Sequence, residues 1–94
     1  MRKIARSKLG PSIKEAIREL RYIQATDGRL TEYQNNSSPR LPNAHRGNTY
    51  YEFDVGAGRF NRGRARIVAL FSPDRLMKMY FTNTHYGSWM EITW

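Results

Sequence analysis

One glutamate, Glu52, stands among aromatic residues in the stretch TYYEFDV, and the next polar stretch, RFNRGRAR, contributes Arg59, Arg62, Arg64 and Arg66 with no acid among them. In an extended chain the side-chain period is two, so Arg62, Arg64 and Arg66 share a face. Guanidinium groups on one face present bidentate forks to phosphate oxygens. His85, one of two histidines in the chain, lies further on in TNTHYGSW. Taken singly, each has a plain reading: a solvated strand carboxylate, a charged soluble edge, a polar turn with an incidental imidazole. Together they meet one chemical need, that of RNA cleavage without a metal. One group takes a proton from a ribose hydroxyl, one gives a proton to the departing oxygen, and cations meet the charge on phosphorus. Imidazole suits the acid role because it titrates near neutrality, and a carboxylate suits the base role.

These groups need a frame to hold them. In SIKEAIRELRYIQ, residues Ile13, Ala16, Ile17, Leu20 and Ile23 recur at helical spacing, which predicts an amphipathic helix over 12–24. Ser12 and Glu15 have the spacing of a capping box that starts it, and TDG at Thr26–Gly28 stops it. The segment from Arg29 to Asn48 is rich in Asn, Ser, Pro and Gly and reads as loops. After it the period changes to two. Tyr51, Phe53 and Val55 alternate with Tyr50, Glu52 and Asp54, then Ala65, Ile67, Ala69 and Phe71 with Arg64, Arg66, Val68 and Leu70. Turns at GAGRFNRG and SPD separate these strands, and RLMKMYF and SWMEITW follow as two more. The expectation is an α+β domain: a helix packed on one face of a twisted antiparallel sheet, with the other face free for a ligand.

The 94 residues make a single domain, 1–94, with residues 1–10 as a basic arm. The absence of cysteine excludes disulfides and thiolate chemistry, and His45 and His85 lie too far apart in the chain to suggest a metal site, so neither metal nor cofactor is expected. A net charge of +8, from 16 basic and 8 acidic residues, points to a polyanionic partner. A membrane surface is disfavoured, because Glu15 and Glu19 interrupt the basic residues of the helix and the core needs its apolar face. MRKIARSKLG carries no apolar run of signal-peptide length.

TYYEFDV, RGRARIV and MYFTNTHYGSW, in that order, resemble the catalytic segments of the small microbial guanyl-specific ribonucleases, the group that includes barnase and its fungal and bacterial relatives. EYQNNSSPRLP, which also ends in Leu-Pro, is similar to the base-recognition loop of that family, and the resemblance runs from about Pro11 onward. It implies that Glu52 is the general base for the 2'-hydroxyl, that Arg62 and Arg66 bind the scissile phosphate, and that His85 protonates the 5'-oxygen. Tyr86 matches a tyrosine that contacts the phosphate or packs at the site. The family reaction passes through a 2',3'-cyclic phosphate to a 3'-phosphate without a metal. Tyr33 would stack on a base, and Gln34, Asn35 and Asn36 would supply amides to it. One departure stands out: where the family usually carries a glutamate that accepts hydrogen bonds from guanine, this chain has Ser37 or Ser38 in a loop one residue longer. A serine lacks the paired acceptors of a carboxylate, so the resemblance carries cleavage to this chain and leaves the choice of base open. Glu32 is a substitute acceptor nearby.

The leading expectation is therefore a monomeric, metal-independent endoribonuclease, a toxin domain secreted or delivered to act in a cytoplasm, with an acidic inhibitor or immunity protein covering its arginine face. Two alternatives share the charge pattern. A non-catalytic RNA-binding module would use the arginines and Tyr33, Tyr50, Tyr51 and Tyr86, but gives no reason for Glu52 in a positive site. A ribosome-dependent mRNA interferase would not cut naked oligonucleotides.

Overall fold

Apolar residues at helical spacing fold as α1, Pro11–Leu20, in the computed structural model, which describes residues 1–22, 30–54, 65–84 and 86–93. Ala16, Ile17 and Leu20 are buried, with Ile13 packed beside them. The helix starts two residues earlier than the capping-box reading, in which Ser12 is the N-cap, with Gly10 in extended conformation as the N-cap, Pro11 at the first helical position and no side-chain cap bond. Proline suits that position because its fixed φ is already helical and its missing N–H would have been unpaired there. The Lys14 amide donates to the Gly10 carbonyl and closes the first turn. The helix ends at Leu20, before the predicted stop, which lies outside the described residues.

Among the described residues the sheet has six strands in the order β1-β6-β5-β4-β3-β2. These are β1 Arg2–Ala5, β2 Thr31–Glu32, β3 Thr49–Asp54, β4 Arg66–Phe71, β5 Leu76–Thr82 and β6 Met90–Thr93. The strands expected from alternation are β3 to β6, each antiparallel to its neighbour. Two differences arise at the edges. Residues 2–5 form a strand rather than an arm, running parallel to β6 with Arg2 opposite Met90 and Thr93 donating its hydroxyl to the Ile4 carbonyl, so the sheet is mixed. The second is β2, within the segment read as loops; two residues are too short to show a period.

Opposite sides of each strand enter different cores. Phe53, Ile67, Ala69, Phe71, Met79, Phe81 and Ile92 face α1, together with Leu9 and Leu30. Tyr50, Val68 and Tyr80 face the other way and are covered by Tyr33, Leu41 and Trp89. The second face is thus largely a core of its own rather than an open platform, because the loop after β2 folds over it. This explains why RIVALF reads as an apolar run: β4 is buried on both faces, with Ile67, Val68 and Ala69 fully inaccessible. Truncating Ile67 to alanine is expected to cost about 2–5 kcal/mol. In a urea melt this would show as a lower midpoint at an unchanged slope.

Candidate active site

Pairing register decides which side chains can meet. Glu52 on β3 lies opposite Val68, which lies opposite Tyr80 and, beyond it, Glu91. Arg66 is two residues from Val68 on β4, hence on the same face and diagonal to Glu52, a separation of about 7–8 Å between backbones. Thr82 lies opposite Arg66 on β5. Glu52 and Arg66 therefore share one face of the sheet. Arg66 is only 5% exposed, and its Nη1 donates to the Ala65 carbonyl at 2.8 Å. A buried cation needs nearby acceptors, and besides the Ala65 carbonyl the Tyr86 hydroxyl is one.

The turn after β5 delivers the third group. Thr82 is buried, and its hydroxyl accepts the backbone N–H groups of Thr84 and Tyr86, both at 3.2 Å. Thr84 and Ser88 bond through their hydroxyls at 2.9 Å, and the Gly87 amide donates to the Thr84 carbonyl. A side chain at Gly87 would meet the Thr84 hydroxyl at 3.2 Å, so glycine keeps this turn tight. Tyr86 itself is left-handed at φ 73°, a conformation that a bulky residue holds only when its surroundings fix it. Those surroundings are plain. Its hydroxyl donates to Glu52 Oε2 at 2.8 Å, and its ring stacks on Tyr33 with centroids 5.3 Å apart and lies 5.8 Å from Trp89.

The Tyr86 phenol is held well above its ordinary range, first by burial, then by its hydrogen bond to Glu52 and that carboxylate's charge. The Arg66 charge and an Arg66 hydrogen bond act in the opposite sense without prevailing. Tyr86 therefore stays a neutral donor to Glu52 at working pH. Tyr50 and Tyr80 are raised as well, each chiefly by burial. All three favour the protonated folded state, so their contribution to stability is complete below the unfolded tyrosine value of about 10 and is lost as pH rises past it. Urea melts are expected to show a falling midpoint above about pH 10, and Tyr86→Phe is expected to flatten part of that fall.

The loop predicted to read a base is built from inside. Asn35 is buried and left-handed at φ 55°, and its side-chain amide clamps Leu41 from both sides, donating to the carbonyl at 2.9 Å and accepting the amide N–H at 2.8 Å. Its side chain is thus committed to the loop. Arg40 Nε donates to the Asn35 carbonyl at 2.8 Å, Trp89 Nε1 to the Pro39 carbonyl at 2.9 Å, and the Tyr50 hydroxyl to the Pro42 carbonyl at 2.7 Å. The Ser38–Pro39 bond is cis. Tyr33 is buried against Tyr86 and Trp89, and its hydroxyl shares a hydrogen bond with Ser37. Gln34 and Asn36 are exposed, and Gln34 donates to Glu32 at 3.3 Å. Glu32, Gln34, Asn43 and Asn48 line a polar cleft of about 370 Å3 beside this loop.

Glu52, Arg66, Tyr86 and Tyr33 are therefore brought together, with Gln34, Asn35 and Asn36 on the loop that Tyr33 begins. Arg62 and His85 lie outside the described residues. Trp89, in the strand segment SWMEITW, joins the loop to the turn through a bond spanning fifty positions, which no local pattern announces. The usable signal was its indole N–H, a donor that needs a partner once buried. Among the described residues, no group of three or more His, Cys, Asp or Glu side chains could hold a metal ion.

A family model described as ribonuclease matches residues 6–93. Among solved structures the chain is similar to ribonuclease Sa2 with guanosine-2'-cyclophosphate, at TM-score 0.66 and 18% identity over 99% of this chain and 97% of that one. It is likewise similar to ribonuclease Sa2 complexed with mononucleotides, at TM-score 0.63 and 20% identity over 99% and 94%. At such identity the likeness shows the fold. The comparison with curated proteins finds no match.

Proposed function

Because the chain belongs to the ribonuclease family, we propose that it cleaves single-stranded RNA by transferring the phosphoryl group to the neighbouring 2'-oxygen, with Glu52 as base and His85 as acid. The observation that carries this reading is a carboxylate, a phenol and a buried guanidinium on one sheet face: Tyr86 donates to Glu52, and Arg66 lies beside both. Glu52 takes the 2'-hydroxyl proton and the 2'-oxygen attacks phosphorus. The bond to the 5'-oxygen then breaks as His85, next to Tyr86 in the chain, protonates that oxygen. Arg66, and Arg62 by the family resemblance, meet the charge that builds on the phosphoryl oxygens. In the second step the roles reverse: His85 takes a proton from water, Glu52 returns one to the 2'-oxygen, and the cyclic phosphate opens to a 3'-phosphate.

Ribonuclease Sa2 has been seen with guanosine-2'-cyclophosphate and with exo-2',3'-cyclophosphorotioate, compounds that correspond to the intermediate of this scheme. The scheme calls on no metal ion. Incubation of the protein with defined oligoribonucleotides in EDTA, followed by identification of the new 3' ends, tests it. Cyclic phosphate ends are expected, and their distribution over the four bases reads the specificity of the loop at Ser37. Intact RNA, or 3'-hydroxyl ends, would overturn the proposal.

The net charge of +8 supports a further part of the reading: a toxin domain that acts in a cytoplasm and is held in check by an acidic inhibitor seated on the arginine face. Expression without such an inhibitor is expected to arrest growth, and Glu52→Gln to relieve the arrest.

A further inference from the structure

We propose that the protein carries a second RNA-binding site on the helix side of the sheet, away from Glu52, which engages the phosphate backbone of a substrate at a distance from the scissile bond. Three observations carry it. First, a cleft of about 320 Å3 between the short 3-10 helix Arg6–Lys8 and α1 is lined by Arg6, Ser7, Lys14, Arg18 and Arg21. Ile17 completes the lining, and among the described residues no carboxylate joins it, so the exposed Lys14 and Arg18, beside Arg6 and Arg21, favour a polyanion.

Second, the helix keeps its charges apart. At 100° per residue Lys14, Arg18 and Arg21 fall within about 60° of one another, directly beside the buried stripe of Ile17 and Leu20, whereas Glu15 and Glu19 fall on the outer flank. Charges that looked interleaved along the sequence are therefore sorted by the helix into a basic edge and an acidic one. Third, Tyr22, at the end of that helix and four residues from Arg18, is 84% exposed, the highest value among the large apolar side chains exposed in this structure. Tyr22 directly follows Arg21, which lines the cleft, and an exposed ring near cations is the combination that binds single-stranded nucleic acid, with the cations on the phosphates and an aromatic face for a base. An acidic protein would use the cations and leave the ring unexplained.

The helix packs on the sheet face opposite Glu52 and Arg66, so a chain that occupies both sites must run round a molecule of 34 × 27 × 26 Å. The second site therefore acts on long RNA and is silent toward a dinucleotide. This inference rests on the ribonuclease reading for its substrate but not for its measurement.

Lys14→Ala with Arg18→Ala removes two exposed cations, and Tyr22→Ala removes the ring. Binding is read by fluorescence anisotropy on a single-stranded DNA of about 30 nucleotides, longer than the roughly 4–16 nucleotides one groove engages and uncleavable for want of a 2'-hydroxyl. The double variant is expected to bind about ten-fold more weakly at low salt, with the slope of log affinity against log salt reduced by about 1.4. Tyr22→Ala is expected to lose about five-fold or more with the slope unchanged. In cleavage assays KM for long RNA rises while kcat and dinucleotide cleavage stay as in the parent. Unaltered oligonucleotide affinity and salt slope in the double variant would overturn the proposal, including the case in which this face serves an acidic protein. Failure of the parent protein to cleave RNA is a separate result that strikes the catalytic reading alone.

Discussion

Glu52→Gln is expected to lower the rate of RNA cleavage about 10^2- to 10^4-fold while leaving the fold in place. The substitution keeps the shape and an acceptor oxygen, so the Tyr86 hydroxyl retains a partner at the position of Oε2 and the Tyr33–Tyr86 stack has no reason to move. What disappears is the only function an amide cannot supply, the uptake of a proton. The loss should fall on kcat with little change in KM, since the guanidinium of Arg66, proposed above to meet the phosphate, is untouched. The acid limb of the pH–rate profile should vanish with it, because that limb reports deprotonation of the base. Glu32→Gln is the control: Glu32 is exposed on β2 and accepts a hydrogen bond from Gln34, and its replacement should leave the rate of phosphoryl transfer near that of the parent while altering at most the preference among bases. A Glu52→Gln protein that melts normally and cleaves within a factor of ten of the parent would remove Glu52 from the mechanism.

Glu52 and Arg66 could be placed from the sequence because both sit on strands. Alternation in TYYEFDV and RARIVALF fixes the face of each residue, and antiparallel pairing then brings the faces together without further information. The same logic fails where no period exists. RKIA, a parallel edge strand that goes from exposed at Arg2 and Lys3 to half-buried at Ile4 and Ala5, carries no alternation to mark it, and Thr31–Glu32 is too short to have any. The helix start was misread because Ser12 and Glu15 satisfy a spacing rule, whereas Gly10 and Pro11 satisfy a stronger one: proline cannot sit further inside a helix without breaking a bond, so it claims the first position.

The loop before β3 was legible as a loop and illegible as a core. Its Asn, Ser and Pro residues suggested exposed amides waiting for a base, but Asn35 turns inward onto Leu41, and carbonyls of Pro39 and Pro42 accept from Trp89 and Tyr50. Backbone groups in a covered loop must be paired, and here side chains from distant strands pair them. The result is that Tyr33 ties the loop before β3 to the turn after β5 through its stack on Tyr86. A loop fixed in this way offers a ligand its backbone and the exposed Gln34 and Asn36 more than the Asn35 side chain.

His85→Ala is the complementary experiment, and its expected result depends on the leaving group. An RNA 5'-oxygen leaves as an alkoxide unless it is protonated, so loss of the acid should slow cleavage of RNA or a dinucleotide by about 10^2- to 10^4-fold. A substrate in which a nitrophenolate replaces that nucleoside departs without a proton. The His85→Ala protein should therefore cleave a uridine or guanosine 3'-nitrophenyl phosphate at a rate close to the parent's, whereas Glu52→Gln should be slow on both, because both need the 2'-hydroxyl deprotonated. The basic limb of the pH–rate profile, which reports loss of the imidazolium proton, should disappear for His85→Ala on RNA and be absent for every form on the activated substrate. The pair of variants should also fail to add: once the base is gone, removal of the acid should cost far less than it does alone, since the two act in one concerted transfer. His45→Ala serves as the control, since His45 is exposed and contributes its carbonyl to a turn with Asn48. Equal loss on both substrates for His85→Ala would assign His85 to binding the phosphate rather than to protonating the leaving oxygen.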